Sequence, residues 1–133
     1  MDYGRLLVLL AVLAGVFLVV QGPAWLRARK VRGTALEGLA ELLPAGRDPS
    51  ARLLLYFWSP SCGMCRNTTP VINELQKERK DVVSVNAMEQ MKLAQQAGIM
   101  GTPAFVVVRQ GVIEQLIMGA RSRRQIEALL AAD

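Results

Sequence analysis

The chain has 133 residues, room for one small domain plus an anchoring or targeting segment. Of its formal charge of +5, most sits before Thr34; from there on eleven basic and ten acidic residues nearly cancel, so charge makes no case for nucleic-acid binding. Histidine is absent and there are two cysteines, which excludes His-based metal or haem ligation, Cys–His and Ser–His nucleophile pairs, and a four-thiolate cluster within one chain.

Leu6 to Val20 is unbroken apolar sequence, and Gln21 is the one strongly polar residue before Arg27. As a single helix, residues 6–26 extend about 31 Å, enough to cross the hydrocarbon core of a bilayer. Trp25 then falls at the interface, with Arg27, Arg29, Lys30 and Arg32 at headgroup level. A signal peptide cut near Gly22-Pro23-Ala24 is the second reading, and a buried helix the third. The nearly neutral start and the apolar run past the cut favour an uncleaved anchor. Basic residues concentrate on the C-terminal flank, so the positive-inside tendency puts the remainder in the cytoplasm, the periplasmic side being the alternative. The domains expected are 1–33, anchor and basic juxtamembrane segment, and 34–133, a folded domain.

Leu36, Leu39, Leu42 and Leu43 have helical spacing, with Thr34 as N-cap and Glu37 as its capping-box partner, which predicts a helix over 34–43. A loop over 44–50 leads to Leu53–Trp58, short and apolar throughout, as in a strand buried on both faces. A helix is expected over 62–80, kinked by Pro70. A strand over 82–85, a helix over 89–97 stopped by Gly98, and a strand over 102–108 follow. Arg109-Gln110-Gly111 turns the chain into a hairpin strand over 112–118, and Ser122 caps a last helix carrying Ile126, Leu129 and Leu130 on its inner face. Strands alternating with helices call for a parallel sheet, with the hairpin as one antiparallel edge. Arg121, Arg123 and Arg124 read as a solvated face, with a weak hint of an acidic partner or headgroup.

The chemistry gathers at Ser59-Pro60-Ser61-Cys62-Gly63-Met64-Cys65-Arg66, where a strand signal gives way to a helix signal. At a helix N-terminus, unpaired N–H groups and the positive dipole end favour a thiolate at Cys62. Cys65, one turn on, lies within disulfide reach and can resolve a mixed disulfide. This is the layout of a dithiol redox site.

Over roughly Leu53 to Leu130 the chain resembles the thioredoxin family. The resemblance rests on Phe57-Trp58 before the site, Cys62-Gly63-x-Cys65, Pro70 five residues further, Gly101-Thr102-Pro103 ahead of an apolar strand, and Gly111 and Gly119 around the hairpin. It implies an α/β thioredoxin-like fold, a central mixed sheet flanked by helices, here preceded by a single N-terminal transmembrane helix. It implies Cys62 as attacking thiolate, Cys65 as resolving thiol, and Pro103 as a cis-proline beside the disulfide. The backbone of Thr102 is then free to pair with a substrate segment, Trp58 packs under the site loop, and Gly63, Met64 and Gly101 support it.

The departures from the family are Tyr56 for a buried aspartate, Ser84 for a lysine, Ser61 for a tryptophan and Met64 for a proline. With the proton-transfer pair absent, water, Glu78 or Glu89 would have to serve. The family's first strand is also replaced, by the anchor and the 34–43 helix. Met64, Met100 and Met118 fall on loops that ring the dithiol in this family, as docking residues or as ordinary loop methionines. Copper is disfavoured by the lack of histidine. The function expected is a membrane-anchored thiol–disulfide oxidoreductase that needs no cofactor. Its partners would be a disulfide-bearing client or a redox relay protein, and the membrane through residues 6–26. The alternative is a docking or assembly subunit with little redox turnover; a zinc half-site shared between two chains is a third reading.

Overall fold

The computed structural model describes residues 2–131. The apolar N-terminal segment forms one helix, α1 (Tyr3–Val31), which runs through Pro23 and past the 6–26 segment read from the sequence. Its stretch Tyr3–Pro23 has a mean hydropathy of 2.5 and none of it is buried. An apolar surface of this size, left bare in water, belongs against lipid or another protein, or to a signal sequence.

Beyond α1 the chain folds as α2 (Leu39–Leu42), β1 (Leu53–Trp58), α3 (Cys65–Glu78), β2 (Val82–Asn86), α4 (Met91–Gln96), β3 (Ala104–Arg109), β4 (Val112–Met118) and α5 (Arg123–Ala131). The strands form one mixed sheet in the order β2-β1-β3-β4. Among the described residues only β1 and β2 pair in parallel; β3 runs antiparallel to β1, and β4 to β3. The parallel arrangement expected for the third strand is therefore corrected. The link through α4 returns the chain to the end of the sheet where β2 stopped, so β3 begins beside the end of β1 and runs back.

Side chains alternate across β1 as the pleat requires. Leu53, Leu55 and Phe57 join one buried cluster with Leu36, Leu39, Leu93 and Ala97, under α2 and α4. Leu54 and Tyr56 join a second with Ile72, Leu75, Phe105 and Ile126, under α3 and α5. A strand covered on both faces explains why residues 53–58 read as continuously apolar.

The helix expected over 34–43 is the main correction. Its first residues instead line the free edge of β4: Gly33 and Leu36 donate their N–H groups to Ile113 O and Gly111 O, and Ile113 N–H donates to Thr34 O. Ala35 forms a lone antiparallel bridge to Val112, on the β4 edge of the sheet and not the β2 edge. Thr34 caps nothing, because the open backbone groups of an edge strand outweigh a weak helical period. Helix begins only at Leu39, after Gly38 in the left-handed region.

Smaller corrections concern helix ends. The third helix starts at Cys65 rather than 62, and the fourth covers Met91–Gln96 within the expected 89–97. The latter closes with Ile99 N–H on Ala94 O and Gly98 at φ +73, a Schellman-type stop.

The last helix has a reciprocal cap, Gln125 N–H to Ser122 Oγ at 3.3 Å and Ser122 N–H to Gln125 Oε1 at 2.9 Å. Ser122→Ala is expected to cost about 1 kcal/mol and to lower the thermal midpoint by roughly 4–8 °C, read by circular dichroism; an unchanged midpoint would show that the cap carries no stability. Arg123 on this helix pairs with Glu127 at 2.9 Å and Glu78 at 3.1 Å, which accounts for it as a solvated face.

Between α3 and β2, Arg79 grips both carboxylate oxygens of Asp81 at 2.9 and 2.8 Å. Chiefly through these bonds, the Asp81 carboxyl is held below its ordinary 3.8. A lowered folded-state value means the bond stabilises the fold above about pH 4 and is lost as pH falls through the folded value. Asp81→Asn should therefore flatten the loss of stability below pH 4 in acid titrations. Because the pair is part-exposed, the effect should stay under about 1 kcal/mol.

Candidate functional site

The site forms where the C-terminal ends of β1 and β2 meet the start of α3. Cys62 N–H donates to Ser59 O at 3.1 Å, folding residues 59–62 into a turn that lifts Cys62 off the end of β1. Cys62 and Cys65 are joined as a disulfide with their Cα atoms 5.3 Å apart. Cys62 is half-buried, whereas Cys65 is only 3% exposed. Although Cys62 precedes the helix by three residues, its Sγ accepts the N–H of Cys65, the first helical residue, at 3.1 Å. The backbone donor at the start of α3 thus points at that sulfur, an arrangement that favours negative charge on it when the bond is open. Gly63 and Met64 complete the loop, Met64 being exposed.

The peptide Thr102–Pro103 is cis. Pro103 is buried, its carbonyl accepts Gly119 N–H at 2.9 Å, and Thr102 Oγ1 lies 3.3 Å from Ser59 Oγ. This last contact ties the proline loop to the cysteine loop. Trp58 is half-buried and packs on the cluster that holds Tyr56 and Ile72. Gly101 is exposed beside Thr102. Cys62, Gly63, Met64, Cys65, Trp58, Gly101, Thr102 and Pro103 thus lie at this one end of the sheet.

The proton-transfer candidates fare differently. Glu78 ends α3, thirteen residues from Cys65, or about 20 Å along a helix, and pairs there with Arg123. It cannot serve the dithiol. Glu89 is exposed on the turn after β2, its N–H held by Asn86 Oδ1. Tyr56 is fully buried, with its hydroxyl 2.9 Å from Thr69 Oγ1, one helical turn beyond Cys65. Burial pushes the Tyr56 phenol up, so it stays protonated and can donate or accept a hydrogen bond but not act as a base.

Sequence reasoning passed over Thr69 and Ser59, whose hydroxyls matter only through partners 13 and 43 residues away. It also passed over Met88 and Met91. With Met100 they line a hollow of about 390 Å³ that reaches Ser59 and Thr102. The three are 61%, 54% and 68% exposed, and the i, i+3 spacing of the first two was the available signal. A larger cavity, about 500 Å³, lies between α2 and α4 and touches none of the site residues.

A dithiol at the end of a buried strand, facing a cis-proline loop, on a mixed sheet between helices, defines a thiol–disulfide exchange domain. A thioredoxin family model matches residues 45–132. A thioredoxin from Synechococcus elongatus is 34% identical over 76 residues, covering 55% of this chain and 71% of that protein. One from Bacillus subtilis is 28% identical over 81 residues, covering 59% and 78%. The crystal structure of a thioredoxin from Nicotiana alata superposes with a TM-score of 0.55 at 26% identity, over 61% of this chain and 71% of that one. The chain belongs to the thioredoxin family. It is a disulfide oxidoreductase of the thioredoxin type, carrying in addition an N-terminal apolar helix.

Proposed function

We propose that the chain is a membrane-anchored thiol–disulfide oxidoreductase acting on protein disulfides, with residues 1–33 as anchor and 34–133 as the catalytic domain. The observation that carries the redox chemistry is the N–H of Cys65 on Cys62 Sγ, with that sulfur outermost and Cys65 buried behind it. In the reduced protein the Cys62 thiolate attacks one sulfur of a client disulfide, forming a mixed disulfide and releasing one client thiolate. Cys65, losing its proton to water, then attacks Cys62 Sγ. The 62–65 bond forms, the second client thiolate leaves, and two electrons have passed to the client. Thr102 offers backbone to the client segment beside Pro103, Trp58 supports the cysteine loop from below, and Gly63, Met64 and Gly101 leave the approach open. The dithiol itself carries the electrons. Reduction is the favoured direction if the domain faces the cytoplasm, as the basic flank of α1 suggests.

A second reading, a docking subunit with little turnover, is favoured by one observation. Among the described residues, a protonated Tyr56 and a distant Glu78 leave no buried base near Cys65. One experiment separates the two: alkaline extraction of membranes holding the full chain, then equilibration with glutathione or dithiothreitol and thiol alkylation. The oxidoreductase reading expects retention in the membrane and a reversible couple near about −270 mV for a reductant. A couple near about −120 to −180 mV would reverse the direction of electron flow. No reversible couple would leave the docking subunit.

A further inference from the structure

The join between helix and domain has no slack. Thr34 N–H closes onto Val31 O at 3.0 Å, and the next residues are already hydrogen-bonded to the edge of β4. Val31 packs on the first core cluster and against Gly98, where even a Cβ would come within 2.6 Å of its Cγ1. The apolar stretch ends between Pro23 and Leu26, and five to eight more helical residues reach Val31, about 8–12 Å further. Headgroups occupy about 5–8 Å of that distance. The domain therefore starts a few ångströms above the lipid surface and is held there at one height.

The redox end of the domain opens toward that join. Lys30 and Val31 line a hollow of about 290 Å³ with Gln95, Ile99 and Met100. Those last three also line the methionine hollow that ends at Ser59 and Thr102. Two adjoining hollows thus connect the exit of α1 to the dithiol loop, floored by exposed thioethers that accommodate varied apolar side chains.

Resting on the anchor and redox readings above, we propose that the substrates are disulfides of other membrane-spanning proteins, carried in extended apolar segments just outside the bilayer. Such a segment rises from the lipid past Lys30 and Val31, lays apolar side chains on Met100, Met91 and Met88, and brings its disulfide to Cys62. With no flexible linker, a disulfide held much higher cannot meet the site, and one held at the surface meets it at a high effective concentration.

The test matches heights. A variant carries eleven extra helix-forming residues between Arg29 and Lys30, three turns that raise the domain by about 16 Å with little rotation. Two synthetic single-span peptides serve as probes, one with a disulfide loop directly after its span, the other with the loop above the same eleven-residue helix. Each is placed in phosphatidylcholine vesicles with pre-reduced full-length protein, and single-turnover reduction is followed by thiol alkylation. The natural chain should reduce the low probe at least tenfold faster than the high one, and the raised variant should reverse that preference. Rates within twofold for both probes with both proteins would overturn the proposal. Flotation with the vesicles and equal reduction of soluble insulin by both proteins accompany it. Failure to float would remove the anchor reading, and failure on insulin the redox reading; either would take the proposal with it.

Discussion

Cys62→Ser is expected to bring disulfide reduction to background, a loss on the order of 10³-fold or more, the scale of removing a covalent nucleophile. The remaining thiol cannot substitute, because Cys65 is 3% exposed and lies behind the loop that Cys62 heads. Cys65→Ser should behave differently. Attack by Cys62 is then still possible, but nothing resolves the product, so a covalent complex with the client should accumulate and run as a dithiothreitol-sensitive band. Insulin turnover and non-reducing electrophoresis on the full chain read both effects. A Cys62→Ser protein that keeps a tenth of the rate, or a trap formed instead by that variant, would reverse the roles given to the two thiols.

Phe105→Ala is expected to have the largest effect on stability. Its ring is fully buried and pairs across the sheet with Tyr56, the ring centroids 5.3 Å apart. Around it lie Leu54, Ile72 and Ile126, drawn from three elements that meet on this face. Removing such a ring costs about 3–5 kcal/mol, transfer and cavity together. For a domain whose whole stability is about 5–15 kcal/mol, that is a large fraction. The urea midpoint should fall sharply, and the thermal midpoint by roughly 15 °C or more. A shift of under about 1 kcal/mol would mean that the pocket collapses around the lost ring.

The dithiol, the proline loop and the apolar helix were all legible, because each is written in consecutive residues. Cys62-Gly63-Met64-Cys65 carries its own spacing, Gly101-Thr102-Pro103 carries part of the family resemblance that implied a cis peptide, and the run from Leu6 to Val20 has a length that only a few environments accept. The segment from Thr34 to Leu43 was misread because its leucines satisfy two arrangements at once. Leu36 and Leu39 are buried in the same cluster whether reached by a helix or by an extended stretch followed by a short turn of helix. What decided between them was the open edge of β4, eighty residues away in sequence, which needs hydrogen-bond partners.

Glu78 failed as a proton carrier for a reason already legible: on one helix, expected over 62–80 and found over Cys65–Glu78, thirteen residues place it about 20 Å from Cys65. Composition, periodicity and short motifs depend on neighbours along the chain, so the sequence by itself determined the redox pair, the class of fold and the apolar helix. Strand direction, the path of residues 33–36, the Tyr56–Thr69 bond and the seating of Val31 on Gly98 are contacts between distant segments. Only the folded chain decides them, because each depends on which unsatisfied backbone group or open space the rest of the molecule leaves beside it.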